Sequence, residues 1–398
     1  MPPQRIIALY DANRHGHHTT YLRLFSKQLL EMGYTIWAFC QNPAEIASWV
    51  SDNCNADASG RLVSFTISPS PKATIFNWWT MGIFNWLRSA RDVELAVRVS
   101  GEQPALVFFM KLDDFSKGVT SATFLNHIVP FNWTGMIIHL RFPALFSPRW
   151  AINSICRPLS IYRSKCCKAV GILQEDRKSK LSRTTKKKVV VFPDITDGEK
   201  PVQTDLTERI ARAARERKII GLIGGQDRRK GSFDILNVAR TCQNMDWFFL
   251  LIGKMNHPQS DAELNRLERV IGDQHKWTNC FFHFSSIPNE GEFNAIIDLC
   301  DIIFAVYRNF PFSSNIMTKA ALFKKPILVA KGGLMAQRLQ QYPFGLECEP
   351  GNTQDTLEKI ETLMDMEIPS SVFENYAQKH SPTEFSRAIR QSIRAIDP

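Results

Sequence analysis

The chain has 398 residues, with 49 lysines and arginines against 39 acidic residues and 44% hydrophobic content. That length carries two domains or one large one, and the apolar content excludes a disordered, collagen-like or coiled-coil chain. The formal charge of +10 calls for an anionic partner or a solvated basic face. No run of 18 apolar residues occurs, so no spanning helix is expected. The start, Met1 to Leu9, reaches a strand at once and leaves no room for a signal peptide. Nine cysteines without a C-x-x-C pair or a zinc spacing fit reduced, mostly buried thiols.

The charge has an address. Residues 141–188 hold 13 basic and 2 acidic residues, a net of +11, while the rest of the chain is close to neutral. A block of this kind fits a solvated face, or contact with an anionic membrane surface, a nucleic acid or a polyanionic substrate. No recognised nucleic-acid-binding motif accompanies it.

In chain order, Arg5–Tyr10 reads as a strand, followed by the loop Asp11–His18 and an amphipathic helix from Thr19 to Met32 that stops at Gly33. Thr35–Cys40, Leu62–Ile67, Ala105–Met110, Gly135–Leu140, Lys168–Leu173 and Val189–Phe192 are further strand candidates. A linker with Pro193, Gly198 and Pro201 then leads into a charged helix, Asp205–Arg217. A second strand–loop–helix start follows: Ile219–Ile223, the loop Gly224–Gly231, and a helix Ser232–Thr241. Trp247–Ile252, Cys280–Phe284, Ile302–Val306 and Pro326–Ala330 are short apolar runs suited to parallel strands buried on both faces. The alternation predicts an α/β chain of two Rossmann-like doubly wound domains facing a cleft.

The second glycine loop is the strongest chemical signal. Gly224-Gly225, then Arg228-Arg229-Lys230-Gly231 and a helix, offer backbone N–H groups, a positive dipole end and three cations, a set that suits a diphosphate. It lacks the Walker A spacing, and a tight turn with a solvated tip has the same composition. Ser313, Ser314 and Asn315 open an apolar helix, where they cap the helix or hold a phosphate or sugar hydroxyl. His139, at the end of the Gly135–Leu140 run, is placed to orient or polarise a reacting hydroxyl, or is a satisfied structural histidine. His15, His17 and His18 fit a polar rim or a zinc site. Asp113 and Asp114 are adjacent, without the spacing of a D-x-D metal motif.

The order of these features resembles the GT-B glycosyltransferases, within them the retaining group of glycogen and sucrose synthases. LIGGQDRRKGSFDIL is similar to that group's G-x-x-x-x-x-K-G donor-phosphate loop, and WFFLLIGK to its next strand and glycine. DIIFAVYRNFPFSSNIMTKAALFKKPILVAKGGL lies where its donor-binding helix lies; Gly16 resembles its N-terminal glycine loop, and His139 its active-site histidine. The chain departs from the group at both carboxylates of the E-x7-E pair, where Pro311 and Lys319 stand. Ser313, Ser314 and Asn315 are the obvious substitutes, and Arg228 or Arg229 supplies the phosphate-contacting arginine missing at Gly225.

The resemblance implies an acceptor-side domain over 1–193, a linker and entry helix over 194–218, a nucleotide-sugar-binding domain over 219–374, and a C-terminal helix, 375–398, packing back on the first domain. It implies a glycosyltransferase using a UDP-sugar, or alternatively a GDP-sugar, as co-substrate, with no metal or other cofactor. Its hydroxyl acceptor would lie near His15, His17, Asp113, Trp78 and Trp79. The aromatic stretch Phe76–Arg88 reads as a core helix or as an interfacial surface. Joined to the basic block it implies a cytoplasmic protein held peripherally at the inner membrane face, acting on a lipid-linked or glycan acceptor. Two alternatives remain: a soluble enzyme for a small metabolite, and a non-catalytic nucleotide-binding module.

Overall fold

The computed structural model describes residues 5–12, 18–69, 80–118, 121–142, 159–242, 246–255, 261–272, 276–287 and 289–394. For residues 18, 19, 261–264 and 266 it describes the backbone alone. The expected site residues His15, Gly16, His17, Trp78 and Trp79, and the part of the basic block over 143–158, lie outside the described residues. The chain divides into two units: 1–193 with 383–398, and 194–382.

Unit 1 is built on a sheet of seven parallel strands: β1 Ile6–Tyr10, β2 Thr35–Cys40, β3 Leu62–Thr66, β4 Leu106–Phe109, β5 Trp133–Ile137, β6 Ala169–Ile172 and β7 Lys188–Val191. Their order is β3-β2-β1-β4-β5-β6-β7. Parallel strands need crossover connections, and the helices these supply bury both faces of the sheet. Alternate strand residues point to one face, where Trp86 of helix Met81–Ser100 sits 4.8 Å from Trp133 and 4.9 Å from Phe109 and Phe115, ring centre to ring centre. On the other face Phe25 of helix His18–Glu31 meets Phe108 at 4.7 Å and Phe385 at 4.6 Å. Phe385 belongs to helix Pro382–Ile393, so the C-terminal segment completes this core. Each large side chain buried in this way stabilises by about 1.5–3 kcal/mol.

Unit 2 holds six parallel strands: β8 Lys218–Ile223, β9 Trp247–Ile252, β10 Cys280–His283, β11 Ile302–Ala305, β12 Ile327–Ala330 and β13 Gly345–Cys348, in the order β10-β9-β8-β11-β12-β13. All six residues of β9 are buried, as expected for a strand covered on both faces. Apolar layers on the two faces contain Ile210, Phe248 and Tyr376 on one side and Leu236, Phe249 and Ile360 on the other.

Most strands sit within a residue of the bounds that the apolar runs gave; larger departures occur at β13, at the entry helix and at β5. β13 was not anticipated: its Leu346-Glu347-Cys348 core is mixed and half-buried, as befits an edge strand. The entry helix ends at Ala214 rather than Arg217, because Arg215 takes a left-handed backbone angle (φ 55°). β5 begins at Trp133 and ends at Ile137, so His139 follows the strand rather than ending it. Among the described residues no helix is long and apolar enough to cross a membrane.

Candidate donor and acceptor sites

Unit 2 reverses its strand order between β8 and β11, and open α/β sheets take ligands at the carboxyl ends of strands at such a reversal. The loops after β8 and β11 meet there. Gly231 closes the first loop at φ 86°, and a Cβ on it would lie 2.6 Å from the Val306 carbonyl oxygen. Gly253, after β9, has φ 123°, and a Cβ there would run into the Gly224 carbonyl. Only glycine allows these close approaches.

Gln226, a residue sequence reasoning passed over, pins the loop. Its buried Nε2 shares its hydrogens among the carbonyls of Leu222 (3.2 Å), Gly224 (3.1 Å) and Ile252 (3.1 Å), and its Oε1 accepts from the Ser232 hydroxyl at 3.0 Å. Asp227 accepts the Lys230 N–H at 2.6 Å and lies 3.6 Å from the Arg229 guanidinium. The Lys230 ammonium sits 3.9 Å from the centre of the Tyr307 ring, and Arg229 lies 5.3 Å from that of Phe310, both within cation–π range.

Arg308 was also missed. Its backbone N–H donates to the Arg229 carbonyl at 2.7 Å, and its guanidinium makes two bonds to buried Asp234, in the first turn of helix Ser232–Thr241. The Asp234 hydrogen bond pushes Arg308 further above the usual guanidinium range. The β8 and β11 loops therefore bring Arg228, Arg229, Lys230 and Arg308 to the helix N-terminus. Asp234 and Asp227 offset part of this charge, and the positive charge that remains beside backbone N–H groups suits a diphosphate.

Ser313, Ser314 and Asn315 follow on the β11 side. Ser314 is the N-cap of helix Asn315–Leu322 and makes no capping bond through its side chain. Asn315 is the first helical residue and is buried. Ser313 turns its hydroxyl into a buried cluster, donating to Asp194 and accepting from Arg338. Asp194 also accepts Thr318 Oγ1 on its carbonyl at 2.6 Å, and its N–H donates to His380 Nδ1 at 2.9 Å. Burial, reinforced by Arg338 and Lys379, lowers the His380 pKa to about 2. His380 is therefore neutral and free to accept.

Lys319, in place of the second carboxylate of the E-x7-E pair, is swallowed by the fold. Only 1% exposed, its Nζ donates to Glu290 Oε2 (2.9 Å), Asn294 Oδ1 (2.6 Å) and the Asp197 carbonyl (3.2 Å). Pro311 is exposed in the preceding loop.

In unit 1 the carboxyl ends of β4, β5 and β6 gather Asp113, His139 and Gln174. Asp113 accepts the backbone N–H groups of Ile138 (2.8 Å) and His139 (2.9 Å), and its Oδ1 lies 3.8 Å from His139 Nδ1. The imidazole is about a third exposed. Gln174, 3% exposed, donates to the Leu140 carbonyl at 3.3 Å and keeps a buried Oε1 without a partner. Nothing in the sequence pattern singled it out. A cavity of about 460 Å³ between helix Met81–Ser100 and residues 103–105 and 130–132 lies at the opposite, amino-terminal edge of the sheet, away from these groups. Burial raises the thiols of Cys167, Cys280 and Cys348 to about 12, which leaves them poor nucleophiles at neutral pH.

No protein-family model and no curated protein sequence matches the chain. Solved structures do. HepE of Anabaena, in complex with UDP and glucose, shares 12% identity at a TM-score of 0.68 over 98% of this chain and 100% of its own. A glycosyltransferase of Rickettsia africae matches at 12% and 0.66 over 100% and 99%. The N-terminal domain of trehalose-6-phosphate phosphatase from Candida albicans matches at 10% and 0.67 over 99% of this chain and 97% of its own. At these identities the likeness is one of architecture, and it agrees with the two parallel sheets and their reversal points: this chain has the GT-B fold.

Proposed function

We propose that the protein is a glycosyltransferase that moves a sugar from a nucleotide-diphospho-sugar to a hydroxyl acceptor. The donor is a UDP-sugar, with a GDP-sugar as the alternative. The observation that carries this reading is the convergence of Lys230, Arg228, Arg229 and Arg308 on a helix N-terminus at the strand-order reversal of unit 2. The structure of HepE with UDP and glucose, in the same fold, supports it.

In the transfer, the bond from the anomeric carbon to the diphosphate oxygen breaks with its electron pair staying on the diphosphate. The acceptor hydroxyl oxygen bonds to the anomeric carbon, and the hydroxyl proton passes to the departing diphosphate or to solvent. Fixed cations and N–H dipoles stabilise that growing charge without reorganising, so they lower the barrier rather than only tightening ground-state binding. We assign this task to protein cations rather than to a resident metal. Gly16, Gly224 and Gly225 let the phosphates approach, while Ser314 and Asn315 face the sugar or ribose. Ser313 shapes their loop through Asp194 and Arg338. His139, held by Asp113, positions the sugar or the acceptor, with His15, His17, Trp78 and Trp79 on the acceptor side. Residues 1–193 serve the acceptor, residues 219–374 the donor, and the basic block 141–188 meets an anionic membrane surface where a lipid-linked acceptor resides.

Lys319 favours a second reading, a nucleotide-binding module without transfer activity. A lysine locked to Glu290 and Asn294 cannot replace a carboxylate that contacts the donor, and a fold of this kind also occurs in a protein named for phosphatase activity. Incubation with a panel of UDP- and GDP-sugars decides between the two. Slow hydrolysis of one donor, lost in His139→Ala, supports transfer. Donor binding with no hydrolysis of any sugar supports the module.

A further inference from the structure

Five of the eight large apolar side chains that stand exposed among the described residues fall on two neighbouring helices of unit 1. Phe84, Leu87, Leu95 and Val99 lie on helix Met81–Ser100 and Phe124 on helix Ala122–Ile128, between 39% and 84% exposed. Positions 84, 87, 91, 95 and 99 recur at the spacing of one helical face. Arg91 and Arg98 share that face and are exposed; Arg98 pairs with Glu94, also exposed, at 2.5 Å. The helix buries its opposite side, through Trp86, Val93 and Ala96, against the sheet.

The same sheet face carries a basic element farther along. Leu125, Ile161, Tyr162 and Leu181 belong to the core cluster that holds Trp86. Helices Met81–Ser100 and Ala122–Ile128, the turn Leu159–Arg163 and helix Lys178–Thr185 therefore form one layer. The outer side of the last helix exposes Lys178, Lys180 and Arg183. One end of this layer thus carries an apolar stripe and the other a group of cations, with exposed Glu175 and Asp176 in the turn before the last helix.

We infer that this layer is a docking surface for an anionic lipid bilayer. Arginines interleaved with large apolar side chains, beside lysines, match a surface of phosphate headgroups over acyl chains. The apolar area is roughly 500 Å², at about 150–250 Å² for a whole large side chain, and the cations that share the layer supply the charge complementary to anionic headgroups. A convex helix lacks the pocket a protein hot spot fills, whereas a bilayer needs no complementary shape. This surface rests on the proposed reading only in that it brings a lipid-linked acceptor to unit 1; docking itself requires no donor.

The test is flotation of the full chain with vesicles of phosphatidylcholine containing 30% phosphatidylglycerol, against phosphatidylcholine alone. The expected result is binding to the anionic vesicles only, weakened by salt. Leu95→Glu with Val99→Glu should reduce it at least tenfold. Lys178→Glu with Lys180→Glu and Arg183→Glu should reduce it by more than a hundredfold, each lost cation being worth about fivefold. Nucleotide-induced thermal shifts, measured in parallel, report folding and the donor site independently of docking. Failure of the wild-type chain to float, or equal flotation of the Leu95→Glu/Val99→Glu variant, overturns the inference. So does a concentration-dependent dimer that this variant dissolves, which would assign the stripe to a second copy.

Discussion

The carboxylate of Asp113 holds His139 by its backbone, accepting the N–H groups of residues 138 and 139 from a turn 26 residues upstream. Those two donors would otherwise continue the β5 ladder. Capping them ends the strand at Ile137 and turns the chain so that the imidazole is left partly exposed at the sheet's carboxyl edge.

If that turn positions the reacting groups, Asp113→Ala should lower turnover about 100-fold, the scale of a misplacement of about 1 Å. Affinity for the free nucleotide, which the proposal assigns chiefly to the Gly224–Gly231 loop, should change little. Asp113→Asn keeps one acceptor oxygen and should lose less. Initial rates with saturating donor, beside nucleotide thermal shifts, separate the two effects; an Asp113→Ala enzyme with unchanged turnover refutes the positioning.

Lys319 is a stability residue on this account. Lys319→Ala removes the partner of Glu290 and Asn294 at a site that is nearly dry, and should cost about 3 kcal/mol. Lys319→Glu, which introduces the residue type of the E-x7-E pair, should cost more, because it sets a carboxylate against Glu290. Chemical denaturation of both variants measures this, and a neutral Lys319→Glu would mean that the position tolerates a donor-contacting carboxylate.

His380 makes unit 2 sensitive to acid. Its pKa is lowered to about 2 in the fold, against about 6.5 unfolded, so the unfolded chain binds more protons between those values and stability falls as pH falls. From pH 7 to pH 5 the loss approaches about 2 kcal/mol, and above pH 7 the contribution is complete. His380→Asn, which keeps an acceptor for the Asp194 N–H, should flatten this dependence in urea titrations at the two pH values.

Gly231→Ala combines a left-handed φ with a clash against Val306. It should destabilise by about 1–3 kcal/mol and weaken nucleotide binding by displacing the loop, which a nucleotide titration of the folded variant would reveal.

Most of the fold was legible in the amino-acid sequence because parallel strands buried on both faces leave continuous apolar runs: Thr35–Cys40 and Trp247–Ile252 stand with the bounds the pattern predicts. β13 escaped because an edge strand carrying Glu347 has no such run. Of the proposed donor site, the Gly224–Gly231 loop was legible because its glycines, cations and helix are contiguous. Arg308 was not, since its meaning depends on Asp234, 74 residues away. Ser313 looked like a ligand residue because helix-capping serines and phosphate-binding serines share one local pattern. Only the distant Asp194 and Arg338 reveal where its hydroxyl goes. Gln174 and Gln226 carry no pattern at all, because a glutamine's role is set by which carbonyls surround it.

In the proposed function the Gly224–Gly231 loop holds a nucleotide diphosphate. This is tested most directly by the thermal shift of the full chain with UDP and GDP, for the wild type and for Lys230→Ala. A ligand at 100 times its Kd adds about 2.7 kcal/mol, a shift of several degrees in the unfolding of unit 2. One nucleotide should produce this shift in the wild type, and Lys230→Ala, folded and of near wild-type Tm without ligand, should lose it. A shift retained in Lys230→Ala, or none with either nucleotide in the wild type, would contradict it.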